Sequence, residues 1–108
     1  MSGQGDDERL LEAALRVAAA VEPGRVMARL EELARIGLAA SGGVNCPGFS
    51  DEEAEAIALV AGWMRAAGLT VARDAIGNLF GSTDGNAPGV APLASGSHID
   101  TVPDGGKY

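Results

Sequence analysis

An α/β fold, with helices packed on a small sheet, is predicted by three observations in this 108-residue chain. Apolar residues recur at helical spacing through two runs that end at Gly37. Another helix opens at the Ser-x-x-Glu signal of Ser50 to Glu53. Beyond Gly68 the apolar period shortens to two, as a strand requires.

The first helix is expected from Asp6 to about Val21, after a frayed start at residues 1–5. Leu11, Leu15 and Ala18 line one face as a packing surface, and Asp6 or Asp7 serves as the cap. Pro23-Gly24 interrupts it. A second helix then carries Val26, Leu30, Leu33 and Ile36 on one face, with Gly37 as its stop. Residues 37–48 are rich in Gly with one Pro and read as a loop. The helix capped by Ser50 runs to Ala67, with Ile57, Val60 or Ala61, and Met64 as its buried stripe and Trp63 beside it. Gly68 is placed to end it in the left-handed conformation. Residues 69–74 then alternate like a strand, Gly77-Asn78 makes a turn, and Leu79-Phe80 begins a second strand. A loop over 81–92 and a third strand over 92–97 lead into His98.

Charge narrows the function classes. The chain has 15 acidic and 8 basic side chains, a net charge of −7, so no basic stripe exists for nucleic acid or an anionic membrane. Asp6-Asp7-Glu8 and Asp51-Glu52-Glu53 sit where helices begin, and there acid complements the helix dipole. Cys46 is the single cysteine, which excludes an internal disulfide and a cysteine-based zinc knuckle. A reduced, cytoplasmic setting is therefore expected. The start is acidic where a secretory signal would be basic, and Ala13 to Val21 falls short of the about 20 residues that span a bilayer. The glycine-rich loop contains neither G-x-x-x-x-G-K-[ST] nor G-x-G-x-x-G, so phosphate binding is not indicated.

The chemistry-bearing stretch is Gly96-Ser97-His98-Ile99-Asp100-Thr101-Val102-Pro103-Asp104-Gly105-Gly106-Lys107-Tyr108. In extended chain His98 and Asp100 share a face, their roots about 7 Å apart, so a bend is needed to bring them together. A carboxylate beside a histidine fixes the tautomer of a metal-ligating imidazole, which makes a metal role one of the readings of this pair. A serine nucleophile at Ser97 is disfavoured, since the G-x-S-x-G elbow is absent and sequence neighbours seldom pair as nucleophile and base. A Cys46–His98 thiol–imidazole pair is the weaker alternative, because free cysteine usually packs as a small hydrophobe.

The string GSHIDTVPDGGKY resembles the first metal motif of the M20-type metallohydrolases. Within that group it is similar to the hydantoinase/carbamoylase branch: N-carbamoyl-amino-acid hydrolases, allantoate amidohydrolases and β-ureidopropionase-like enzymes. The stretches GGV, GFSDEEAEAIALVAGWMRAAGL and the D-x-x-GNLFG pattern from Asp74 to Gly81 carry the same likeness, which covers residues 25–108. The resemblance implies that residues 25–108 are the N-terminal portion of a two-metal hydrolase catalytic domain, with helices on an incomplete mixed sheet. Residues 1–24 would form a helical extension. It also implies that His98 ligates one of two divalent ions (zinc, manganese or cobalt) and that Asp100 orients it. The family's next residue after Lys107-Tyr108 is an Asp that bridges both metals, so the chain reads as a truncated piece, inactive alone. Cys46 stands where the branch often carries Arg. The implied substrate is a small ureido or carbamoyl compound, and the implied full-length assembly a homodimer. Two other readings stay open, an M20-type exopeptidase and a short non-catalytic interaction module.

Overall fold

The computed structural model describes residues 3–85 and 87–108. Three helices, α1 (Gly3–Ala20), α2 (Pro23–Leu33) and α3 (Asp51–Ala66), precede two strands, β1 (Thr70–Arg73) and β2 (Leu79–Ser82). Helices with a small sheet are what the alternation of periods predicts.

The first helix differs from expectation in two respects. It begins at Gly3, so Gly3 to Gly5 are helical and Asp6 lies inside the first turn instead of capping it. There its charge still meets the positive end of the helix dipole. Nor does its apolar face pack: α1 has no buried residue, and Leu11 and Leu15 are each 62% exposed. An amphipathic stripe is buried only when another apolar element lies opposite, and the remaining elements direct their apolar faces toward one another. The helix, about 27 Å long, stands out from the rest. The Cα radius of gyration is accordingly 17.6 Å, against about 13 Å for a compact domain of this length.

Pro23 occupies the start of α2, where its missing N–H costs nothing and its fixed φ suits the helix. The sequence division at residue 24 thus falls in the first turn of α2. Leu33 and Ile36 pack on a small core of Ala34, Val44, Cys46 and Ala56. Arg29 lies 5.3 Å from the centroid of the Trp63 ring, a cation–π contact joining α2 to α3.

Both ends of α3 follow from local sequence. The Ser50 hydroxyl accepts the Glu53 N–H at 3.1 Å, and the Glu53 carboxylate in turn accepts the Phe49 N–H. This is a capping box shifted back by one residue on its second arm. At the far end Gly68, with φ of +83°, closes a Schellman motif. The Gly68 N–H donates to the Arg65 carbonyl and the Leu69 N–H to the Met64 carbonyl.

The helix buries two adjacent faces. Ile57 and Ala61 are buried and Met64 half-buried on the expected stripe, facing the strands. Ala56, only 2% exposed, belongs to the neighbouring face and joins the core beneath α2.

The strands β1 and β2 form an antiparallel hairpin with Val71 opposite Gly81 and Ala72 opposite Phe80. Its turn is organised by Asp74, whose carboxylate accepts the backbone N–H of Ile76 and Asn78 and the Asn78 side-chain amide. Those bonds, the Asn78 amide foremost, hold the Asp74 carboxyl below its usual range. A Cβ at Gly81 would lie 2.9 Å from the Met64 sulfur, so this position lets β2 approach α3. Phe80, on the opposite face, is 53% exposed.

The strand expected over residues 92–97 is not formed. The segment is irregular and exposed, with Leu93 fully solvated. A strand exists only through the ladder it joins, Pro92 has no N–H to give one, and neither β1 nor β2 pairs with this segment. The sheet is therefore two-stranded among the described residues.

Two substitutions test these local devices. Ser50→Ala is expected to lower unfolding free energy by about 1 kcal/mol, the usual worth of such a cap. Gly37→Ala should cost about 2–4 kcal/mol, combining left-handed strain with over-packing. Its φ is +75°, and a Cβ there would sit 2.0 Å from the Asn45 carbonyl oxygen. Urea titration followed by far-ultraviolet circular dichroism measures both; equal midpoints for Gly37→Ala and the parent would contradict the second.

Candidate active-site segment

The candidate site is built where two irregular segments pair. After α2 the chain turns through Gly37 and forms a tight loop in which the Ala39 N–H donates to the Gly43 carbonyl at 2.9 Å. The Asn45 N–H donates to the Gly37 carbonyl at 2.7 Å. Residues 44–46 then run against residues 101–105. Val44 and Gly105 exchange both backbone hydrogen bonds, at 2.8 and 2.9 Å, and the Thr101 N–H donates to the Cys46 carbonyl at 2.7 Å. The GGV stretch has a physical role in this pairing: a Cβ at Gly43 would lie 2.6 Å from the Gly105 carbonyl oxygen. Side chains reinforce the seam, with Ser41 donating to the Asp104 carboxylate and the Asp104 N–H donating to the Asn45 side-chain carbonyl.

The seam supplies the bend that the spacing of His98 and Asp100 requires. His98 Nδ1 lies 2.9 Å from the Asp100 backbone carbonyl and 3.2 Å from its carboxylate Oδ1. A carbonyl can only accept, and an ionised carboxylate likewise, so both contacts are hydrogen bonds only when Nδ1 carries the proton. In the neutral ring Nε2 then keeps its lone pair. The imidazole is 80% exposed and its other nitrogen is not drawn into the protein. The expected pairing of His98 with Asp100 is thus present, with the main chain of Asp100 adding an acceptor that side-chain spacing alone does not suggest.

His98 and Asp100 border an open cleft of about 480 Å³ whose apolar floor includes Leu33, Ile36, Val44 and Cys46. The Cys46 side chain is buried, and burial pushes its thiol up, with further upward pressure from the charges of Glu53, Glu52 and Asp100. A thiolate is suppressed there, which removes the basis for a Cys46–His98 nucleophilic pair. No group of three or more His, Cys, Asp or Glu side chains is placed to hold an ion among the described residues. The donor set fits one ligand position of a metal site and not a whole one, since a catalytic zinc takes three protein ligands.

The end of the segment is tied to α2 by a contact the sequence reading missed. Lys107 Nζ reaches both carboxylate oxygens of Glu31, at 3.0 and 3.2 Å, and the Tyr108 hydroxyl donates to the same carboxylate. Glu31 looks in sequence like any solvated helix acid. No local signal joins it to residues 76 and 77 positions away.

No family model matches the chain. Individual proteins do. It is 44% identical over 84 residues to the N-carbamoyl-L-amino-acid amidohydrolase of Pseudomonas sp. (strain NS671), covering 78% of this chain and 20% of that protein. It is 39% identical over 79 residues to the allantoate amidohydrolase of Bacillus subtilis (strain 168), covering 73% of this chain and 19% of that one. A crystal structure of a hydantoinase/carbamoylase family amidase from Burkholderia ambifaria superposes with a TM-score of 0.78 at 41% identity, over 82% of this chain and 22% of that one. By sequence and by fold, the chain is related to the hydantoinase/carbamoylase amidohydrolases. It spans about a fifth of the length of the curated relatives it matches. No helix among the described residues is long and apolar enough to cross a membrane.

The Glu31 contact carries a pH signature. The Tyr108 hydrogen bond first, then the Lys107 bond, hold the Glu31 carboxyl below its usual range, while Lys107 and Tyr108 are both raised by Glu31. A lowered carboxylate stabilises fully above its unfolded value, about 4.3 for Glu, and the contribution fades as pH falls through the lower folded value. The raised Lys107 and Tyr108 act oppositely, contributing until pH climbs through their folded values. Urea midpoints of Glu31→Gln and the parent should therefore differ at neutral pH and converge in acid. A difference that persists unchanged at low pH would show that the charge is not what holds this contact.

Proposed function

We propose that this chain carries one metal ligand, His98, of a two-metal amidohydrolase site that cleaves C–N bonds in N-carbamoyl amino acids, ureido acids or allantoate. The observation that carries the reading is the doubly accepted Nδ1–H of His98 with Nε2 left free beside an open cleft. The named relatives give the reaction class its support.

The divalent ions of such a site, zinc, manganese or cobalt, supply an acidified water and a polarised carbonyl. The residues of this chain do the rest of what can be assigned to it. Asp100 holds the proton on Nδ1, fixes the ring plane and raises the basicity of Nε2, which is the work of a partner behind a ligating histidine. Residues 44–46 and 101–105 hold the bend that lets Asp100 do so. Arg is common in the branch where Cys46 stands here; a buried, neutral thiol takes over none of its charge and serves the core.

Among the described residues no three such donors are grouped, too few for a two-metal cluster. Incubated with zinc or manganese, the 108-residue chain should release no ammonia from N-carbamoyl amino acids or allantoate above the metal-only background. Sustained turnover would overturn that expectation.

The reading itself is testable in a chimera in which the aligned segment of this chain replaces its counterpart in the Geobacillus stearothermophilus N-carbamoyl-L-amino acid amidohydrolase, 44% identical over 88 residues. The chimera should hydrolyse ureido acids in preference to dipeptides. Asp100→Asn should lower metal affinity or activity about 10–100-fold, the usual loss for such a partner. His98→Ala should lose more. A folded His98→Ala chimera with parental activity and metal content would remove His98 from the site.

A further inference from the structure

We propose that Thr101 is the positioning residue that sets the tautomer of His98, an inference that rests on the metal-ligand reading of that histidine. The Asp100 carbonyl that accepts from His98 Nδ1 and the Thr101 N–H belong to one peptide unit. In a trans peptide these two groups point in opposite directions from a rigid plane. The Thr101 N–H is held on the Cys46 carbonyl at 2.7 Å, so the Asp100 carbonyl is aimed away from that seam, toward the imidazole 2.9 Å off. Rotating this plane would remove the carbonyl, the nearer of the two acceptors on His98 Nδ1.

The Thr101 hydroxyl is what keeps the plane from rotating. It accepts the Cys46 N–H at 2.9 Å and donates to the Val44 carbonyl at 3.1 Å, so one residue makes three hydrogen bonds to a segment 55 to 57 residues earlier. Cys46 is 3% exposed, which leaves its N–H no water to turn to when the hydroxyl is absent. His98, by contrast, is open to solvent, and its other acceptor among the described residues is the Asp100 carboxylate, 3.2 Å from Nδ1 and carried by the same residue that the peptide plane orients. A ring freed from Asp100 would divide its proton between Nδ1 and Nε2, and the second form cannot bind a metal through Nε2.

The test uses the 108-residue chain, labelled with nitrogen-15, at a pH well above the ordinary imidazole value of about 6.5. The parent and Thr101→Ser, which keeps the hydroxyl, should both show His98 as a single Nδ1–H tautomer. Thr101→Val, near-isosteric but without the hydroxyl, should show ring nitrogens averaged toward a mixture while its helical circular dichroism is retained. A folded Thr101→Val chain with the parental tautomer would overturn the proposal. Should that variant lose its fold, the parent in rising urea decides the matter. The His98 tautomer and the hydrogen-exchange protection of the Cys46 amide must then disappear together, and a tautomer outlasting that protection overturns the proposal. Metal content of the chimera separates this inference from the reading beneath it. Metal lost from a folded His98→Ala chimera supports ligation, and parental metal content there beside a Thr101-dependent tautomer would sink the metal reading and leave the positioning role standing.

Discussion

Pairing between residues 44–46 and residues 101–105 is the constraint on which the rest of this structure depends. The two segments lie in irregular regions, far apart in sequence, and neither belongs to a helix or to the hairpin. Their backbone groups nonetheless satisfy one another, and Val44 and Cys46 are buried as a consequence. The core between α2 and α3 exists because this seam places Val44 and Cys46 against Ala34 and Ala56. The same seam bends the chain after His98, so the packing and the candidate chemistry share one cause.

The third helix connects this seam to the remainder. Its two adjacent apolar faces serve different partners, Ala56 the seam and Ile57, Ala61 and Met64 the hairpin. Ala56 packs with Ala34, Val44 and Cys46 on one side, and Gly81 lets β2 approach on the other. Phe80 is exposed, and the 92–97 segment joins no strand among the described residues.

Much of the fold was legible from sequence. The α3 cap at Ser50, the closing turn at Gly68 and the hairpin about Asp74 to Asn78 each depend on residues within four or five positions of one another. The closeness of His98 and Asp100 was legible for the same reason. The strand assigned to residues 92–97 failed because a run of small residues shows only that a segment can pair, and pairing needs a neighbour. The packing role given to Leu11 and Leu15 failed similarly, since periodicity identifies an apolar face without identifying what covers it.

What the sequence by itself determined is therefore local: where α3 starts and stops, where the hairpin turns, and which histidine and carboxylate lie side by side. The tertiary structure decided that Thr101 locks onto Val44 and Cys46, that Glu31 receives Lys107 and Tyr108, and that α1 lies uncovered. The physical reason lies in the groups involved. Caps and turns use particular side chains at fixed short spacings, which leave a signature in the chain. The seam is made mostly of N–H and carbonyl groups that nearly every residue possesses, so only the folded geometry selects which of them meet.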